Sequence, residues 1–119
     1  MTQPTQVKTL LEVKSYLDEL LQVTALDPEG NGLIVGGQPL VSKVGLAVNC
    51  SWQAIEEASL RGCDLLITHH AAWPHIDLHL SELKYDRLRE LGMNYYAAHE
   101  ALDLARGFGT ADALARAVR

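Results

Sequence analysis

His69 and His70 stand side by side at the end of the run Asp64-Leu65-Leu66-Ile67-Thr68. Imidazole is the commonest protein metal ligand and titrates near neutrality. Adjacent residues on a regular strand face opposite ways. Both rings therefore reach one pocket only where a strand ends and twists. Adjacent side chains still diverge there, which suits two ions, one per histidine, better than one chelated ion. Further along, His99 closes Asn94-Tyr95-Tyr96-Ala97-Ala98, and Asp103 follows four residues later. In a helix that spacing puts the two side chains on one face; in a loop they can still converge. Nitrogen donors with a carboxylate suit Zn, Mn, Fe or Co, and a carboxylate can bridge two cations. Paired ions polarise a substrate and activate water. The competing reading makes the histidines polar residues closing a strand and Asp103 a helix N-terminal carboxylate held by the dipole.

Other candidate groups are weaker. Gly30, Gly32, Gly36 and Gly37 lack a following Lys-Ser or Lys-Thr and lead into a strand, so they fail the context of a phosphate-binding loop. Turns needing positive φ account for them better. Cys50 ends a strand near a predicted helix start, which would lower a thiol pKa. No base is paired with it, and a buried, inert thiol is the expectation for Cys50 and Cys63. His75 and His79 read as surface histidines.

These residues need a frame to position them. Leu10, Val13, Leu17, Leu20 and Leu21 recur at helical spacing and predict an amphipathic first helix. It stops before the turn-rich Asp27-Pro28-Glu29-Gly30-Asn31-Gly32. Leu33-Ile34-Val35 and Val44-Gly45-Leu46-Ala47-Val48 predict strands. Ser51 is placed to cap a helix through Ile55, Ala58 and Leu60, with Gly62 as its C′ glycine. Leu65 to Thr68 is the next strand, completing a right-handed βαβ unit with parallel strands. Trp73 to Leu78 predicts a loop, and Ser81 opens a helix carrying Leu83, Leu88 and Leu91 that ends at Gly92. Met93 to Ala98 is a strand, and Thr110 caps a last helix with Leu114 and Val118 facing inward. The expected fold is one α/β domain over residues 1–119, a mostly parallel sheet covered by helices. Ligands of such sheets bind beyond the carboxyl ends of the strands, where His69, His70 and His99 all fall.

Composition narrows the functions. The chain has 119 residues, enough for a core without staples. Two cysteines and no CxxC pair argue against a disulfide framework, a zinc ribbon or a thioredoxin-type motif. A net charge of −5 weighs against nucleic acid as a partner, because phosphate binding needs a basic stripe. No apolar run is long enough to span a membrane and the polar N-terminus is unlike a signal peptide. The expected location is the cytoplasm.

The runs Leu65-Leu66-Ile67-Thr68-His69-His70, Tyr96-Ala97-Ala98-His99 and Leu102-Asp103 resemble the NIF-three-like dinuclear metal-centre family, which often carries the label GTP cyclohydrolase I type two. Asn31-Gly32-Leu33, Val35-Gly36, Ala54-Ile55-Glu56-Glu57-Ala58, Gly107 and Asp112-Ala113-Leu114-Ala115 match in order. The resemblance implies that His69, His70 and Asp103 are metal ligands of a centre holding two divalent transition-metal ions when complete. It places His99 close to the metals, as a catalytic proton shuttle or second partner. A homo-oligomer, an unidentified small-molecule substrate and metal-assisted hydrolysis are implied, with no protein nucleophile needed. The alternative is a non-catalytic oligomeric interaction or metal-binding module.

The departures bear on that choice. Family members are usually much longer, and their last two ligands, a histidine and a glutamate, come from a C-terminal half without a counterpart here. After Asp103 the chain offers Asp112 but no histidine and no glutamate. A fragment, a half-length relative, or a site completed by a second subunit would each fit. Asn49 stands where the family usually has a carboxylate, and Ala71 replaces the usual proline after the two histidines.

Overall fold

The computed structural model describes residues 7–118. Its centre is a four-stranded sheet of β2 (Asn31–Val35), β4 (Val44–Asn49), β5 (Leu65–His70) and β6 (Asn94–Ala98), in the order β2-β6-β5-β4. β4, β5 and β6 run parallel, and β2 joins the opposite edge of β6 antiparallel with a register shift between Leu33 and Val35. A short antiparallel ribbon pairs β1 (Lys8–Thr9) with β3 (Leu40–Val41). The predicted mostly parallel α/β domain is thus observed; the ribbon is an addition that two-residue strands do not announce in a sequence.

Alternation splits the core into two layers. One face of the sheet presents Val35, Leu66, Tyr95 and Ala97 to Ile55 and Ala58 of α2 (Trp52–Leu60) and Leu88 of α4 (Leu80–Glu90). The other presents Leu65, Tyr96 and Ala98 to Leu10, Val13, Leu17 and Leu21 of α1 (Leu10–Leu21). Tyr95 and Tyr96, adjacent in sequence, therefore anchor opposite layers, and the Tyr96 hydroxyl donates to Asp18 Oδ1 of α1 at 2.8 Å.

The local signals for β4-α2-β5 hold. Ser51 Oγ accepts from the Ala54 N–H at 3.1 Å, and Gly62 takes φ 75° just past the helix, where a side chain would be strained. Elsewhere the structure corrects the sequence reading. The predicted loop after His70 holds a short helix, α3 (Pro74–Asp77), and α4 starts at Leu80. Ser81 lies inside α4, buried, and its hydroxyl donates to the Ala72 carbonyl instead of capping. Leu83 is exposed. Thr110 is the first residue of α6 (Thr110–Ala117), with Gly109 at the cap position. Leu114 and Val118 are 64% and 73% exposed, so the expectation that they face inward fails: α6 packs against α5 (Glu100–Leu104) and reaches neither layer of the core.

The glycine account is also revised, since Gly32 alone of the set Gly30, Gly32, Gly36 and Gly37 has positive φ, at 110°. Gly37 serves close approach: a Cβ there would sit 2.6 Å from the Gly92 backbone. No helix among the described residues is long and apolar enough to cross a membrane.

Candidate metal centre

The histidines converge because β5 leaves one of its neighbours before it ends. Its pairing with β6 stops at Thr68↔Ala97, whereas its pairing with β4 continues to Asn49↔His70. The Thr68 hydroxyl donates to the His70 carbonyl at 2.9 Å, and the Cys50 N–H reaches the same oxygen at 3.1 Å. Two donors on one carbonyl hold this strand end. As a result His69 and His70, expected to diverge, have ring centroids 4.7 Å apart.

His99 arrives from β6. Its N–H donates to the Gly30 carbonyl at 3.1 Å, and it opens α5, whose Ala101 N–H is taken by the buried Asn31 Oδ1 at 2.9 Å. Asp103 sits one turn into that helix, with its N–H on the His99 carbonyl at 3.3 Å. Its Oδ1 lies 3.6 Å from His69 Nε2. One ligand atom each of His69, His70 and His99 falls within 4.8 Å of the others. Three imidazoles that are neither buried nor fully exposed, with a carboxylate alongside, are a donor set that can hold a metal ion.

Orientation separates the three rings. His69 Nδ1 lies 2.9 Å from the Ala98 carbonyl, and His70 Nδ1 lies 2.8 Å from Asn49 Oδ1. A carbonyl oxygen only accepts, so in the neutral rings each Nδ1 carries the proton and each Nε2 keeps its lone pair. Metal-bound histidines almost always have such an acceptor behind them. The His99 ring has no hydrogen bond to protein among the described residues; it packs edge-on against Trp73 at 4.8 Å between centroids. Burial lowers the His70 pKa, and repulsion from His69 and His99 lowers it further, against a smaller opposing pull from Asp103.

The structure thus brings together all four residues singled out in the sequence. It adds four that were missed in these roles. Asn49 orients His70, a role that its standing in place of the family's usual carboxylate does not announce. Trp73 walls the cluster, and Gly30 leaves room for it: a Cβ there would approach the indole Nε1 to 3.3 Å. Asn31 caps α5, a role that Asn31-Gly32 in a turn does not reveal. Cys50 is buried, and desolvation raises its thiol pKa, in keeping with an inert thiol. His75 and His79 lie exposed outside the cluster.

An α/β domain with a histidine cluster beyond the carboxyl ends of parallel strands defines the class of protein. Residues 8–119 match the profile of Duf34/NIF3 (NGG1p interacting factor 3), and the chain belongs to that family. Among curated relatives it is 32% identical over 111 residues to a GTP cyclohydrolase 1 type 2 homolog of Deinococcus radiodurans, covering 90% of this chain and 42% of that one. To the protein of the same name from Pyrococcus horikoshii it is 39% identical over 97 residues, covering 77% and 38%. The chain thus spans less than half the length of these relatives. Among solved structures, TTHA1606 from Thermus thermophilus aligns with a TM-score of 0.76 at 33% identity, covering 92% of this chain and 47% of that one. HcgD from Methanocaldococcus jannaschii, in a reduced form, aligns with a TM-score of 0.76 at 25% identity, covering 95% and 48%.

Proposed function

We propose that this protein binds divalent transition metal at His69, His70 and Asp103, with His99 as the proton carrier of a metal-assisted hydrolysis. The observation that carries the reading is the pair of anchored rings: Ala98 and Asn49 fix the Nδ1 protons of His69 and His70, which leaves both Nε2 lone pairs available within one cluster. Zn, Mn, Fe or Co suits such donors, and Asp103 supplies the negative charge that a dication needs. When bound, a divalent ion supplies Lewis acidity and makes water acidic enough to react near neutral pH.

His99 has a different part because its ring nitrogens are not committed to a fixed acceptor. A ring held by packing against Trp73, His69 and His70, with no hydrogen bond among the described residues, can take a proton at one nitrogen and release it from the other. The name shared by the two curated relatives, GTP cyclohydrolase 1 type 2 homolog, is in keeping with hydrolysis of a small organic substrate. Two ions per complete centre, with further ligands from residues beyond this chain or from a second subunit of a homo-oligomer, complete the reading. Its place of action is the cytoplasm.

A second reading, a non-catalytic metal-binding or oligomeric interaction module, is favoured by one observation. Asn49 puts a neutral amide behind His70, where a carboxylate would make the ligand more basic and add charge.

Metal analysis of protein purified without a histidine tag tests the first reading. Bound transition metal that is lost in His69→Ala and Asp103→Ala is expected; no metal after incubation with Zn and Mn would sink it. If metal is retained but turnover is absent and His99→Gln changes nothing, the module reading stands instead.

A further inference from the structure

A cavity of about 330 Å³ opens against His70, between the end of β4 and the α3–α4 segment. Its wall includes Asn49, Ser51, Trp73, Ile76, Asp77 and Lys84. Its size falls in the range of small-molecule pockets, about 300–1,000 Å³. Lys84 is its unusual member. The residue is only 8% exposed, and lysine is almost never buried unless paired. Its ammonium donates to Asp77 Oδ1 at 2.9 Å. An ammonium has three N–H donors, and Asp77 is its one protein acceptor among the described residues. Two donors therefore remain for a ligand in the cavity.

The segment that supplies Asp77 is built to exchange. α3 is four residues long, and Ile76 and Leu78 on either side of Asp77 are mostly exposed. Leu78 closes it at φ 56°, ψ −133°. A side chain there is strained, and such strain persists near functional sites more than elsewhere. A helical turn with little apolar burial and a strained exit opens at low cost. Lys84, by contrast, sits on α4, whose Tyr85 and Leu88 are buried in the core.

We propose that this cavity is the substrate subsite of the metal centre and that Lys84 binds the oxyanion group, phosphate or carboxylate, of a small organic substrate, with Asp77 holding that place until the substrate arrives. The assignment of the ligand as substrate rests on the metal-centre reading; the anion site itself does not. Both groups line one small cavity: His70 brings the metal side, Lys84 the recognition side, and Trp73 and Ile76 add apolar wall. An ammonium that reads an oxyanion is a point charge free of the geometric demands of a guanidinium, so one lysine suffices for a small anionic group.

Titration calorimetry with inorganic phosphate, and in a second arm acetate, tests this on the full chain with chelator and again after metal loading. Asp77→Asn removes the competing carboxylate and is expected to tighten oxyanion binding about tenfold. Lys84→Gln with Asp77→Asn, a neutral pair that leaves no charge unpaired, is expected to abolish it. Thermal melting of both variants separates loss of binding from loss of fold. Lys84-dependent binding of either anion supports the site and tells which oxyanion it prefers. Binding by neither anion, or equal binding by the wild type and the double variant, overturns it. His69→Ala with chelator is expected to keep full phosphate affinity. Lys84-dependent binding in a protein that never holds metal would overturn the substrate assignment and the metal reading together, while leaving the anion site standing.

Discussion

Strands β6 and β4 differ as much as two strands of one sheet can. β6 has a neighbour on each side and all five of its residues are buried. β4 is an edge strand, and Val44, Leu46 and Val48 stand exposed on the face where β6 presents Tyr96 to α1, with Leu46 at 79%. The functional side chains follow that gradient. His99 leaves the end of β6, His69 and His70 leave β5 beside it, and β4 contributes only Asn49, which steers His70 from behind. Ligand geometry is thus set by the most constrained part of the sheet, and β4 tunes it. Rigid elements hold sites more accurately than loops do.

The sharpest way to break the comparison is to weaken each strand in turn. Tyr95→Ala removes a side chain that is fully buried and linked by its hydroxyl to Thr68. It should destabilise the protein by about 3–5 kcal/mol, read by denaturant unfolding. A smaller loss is expected from Asn49→Ala, which should weaken metal affinity about 10- to 100-fold with little change in stability, measured by competition with a chromophoric chelator. If Asn49→Ala costs as much affinity as His70→Ala, the division between ligand and steering residue fails.

Two pH effects come next. Metal binding requires neutral imidazole, and burial together with repulsion from His69 and His99 holds His70 below its ordinary pKa of 6.5. Proton competition at His70 should therefore begin at a lower pH than at a free histidine, and its share of the affinity should fall as pH drops further. Binding that is flat from pH 5 to 8 would refute this. Asp64 ties the start of β5 to the Ser42–Lys43 turn ahead of β4. Burial pushes its pKa up, but the Ser42 and Lys43 N–H groups and the Ser42 hydroxyl outweigh that and hold it below the ordinary value. A depressed carboxylate pKa stabilises the fold above the unfolded-state pKa, and the contribution is lost as pH falls through the folded one. Asp64→Asn should therefore flatten the acid limb of the stability curve.

The smallest effect belongs to β4. Leu46→Ala should change stability by no more than about 0.5 kcal/mol, as exposed positions usually do. A loss of about 2 kcal/mol or more, in the range of buried leucines, would mean that the β4 face is covered in solution and that the contrast with β6 is a property of the isolated chain.

Much of this architecture is legible in the order of the amino acids alone. The β4-α2-β5 unit follows from two apolar runs, a serine cap and a glycine stop, all short-range signals that act within one turn or one strand. Sheet polarity and the clustering of His69, His70 and His99 at its carboxyl end follow from chain connectivity, because a crossover fixes strand direction. Local patterns mislead where a long-range partner decides. Leu114 and Val118 carry an inward-facing pattern, but no layer among the described residues covers them. Ser81 looks like a cap, yet its hydroxyl belongs to Ala72.

Which groups meet is written in the order of the residues, since residue type and strand polarity already place three imidazoles and a carboxylate at one end of the sheet. What each group can do depends on how the layers pack. Local sequence does not say that β5 parts from β6 after Thr68, which is what turns two divergent histidines toward one another. Nor does it say that Ala98 and Asn49 take the Nδ1 protons while His99 is left free, or that Lys84 is buried within reach of Asp77. Each of those depends on where a second strand or helix ends in space, and hydrogen bonds between residues distant in sequence are fixed only when the layers pack.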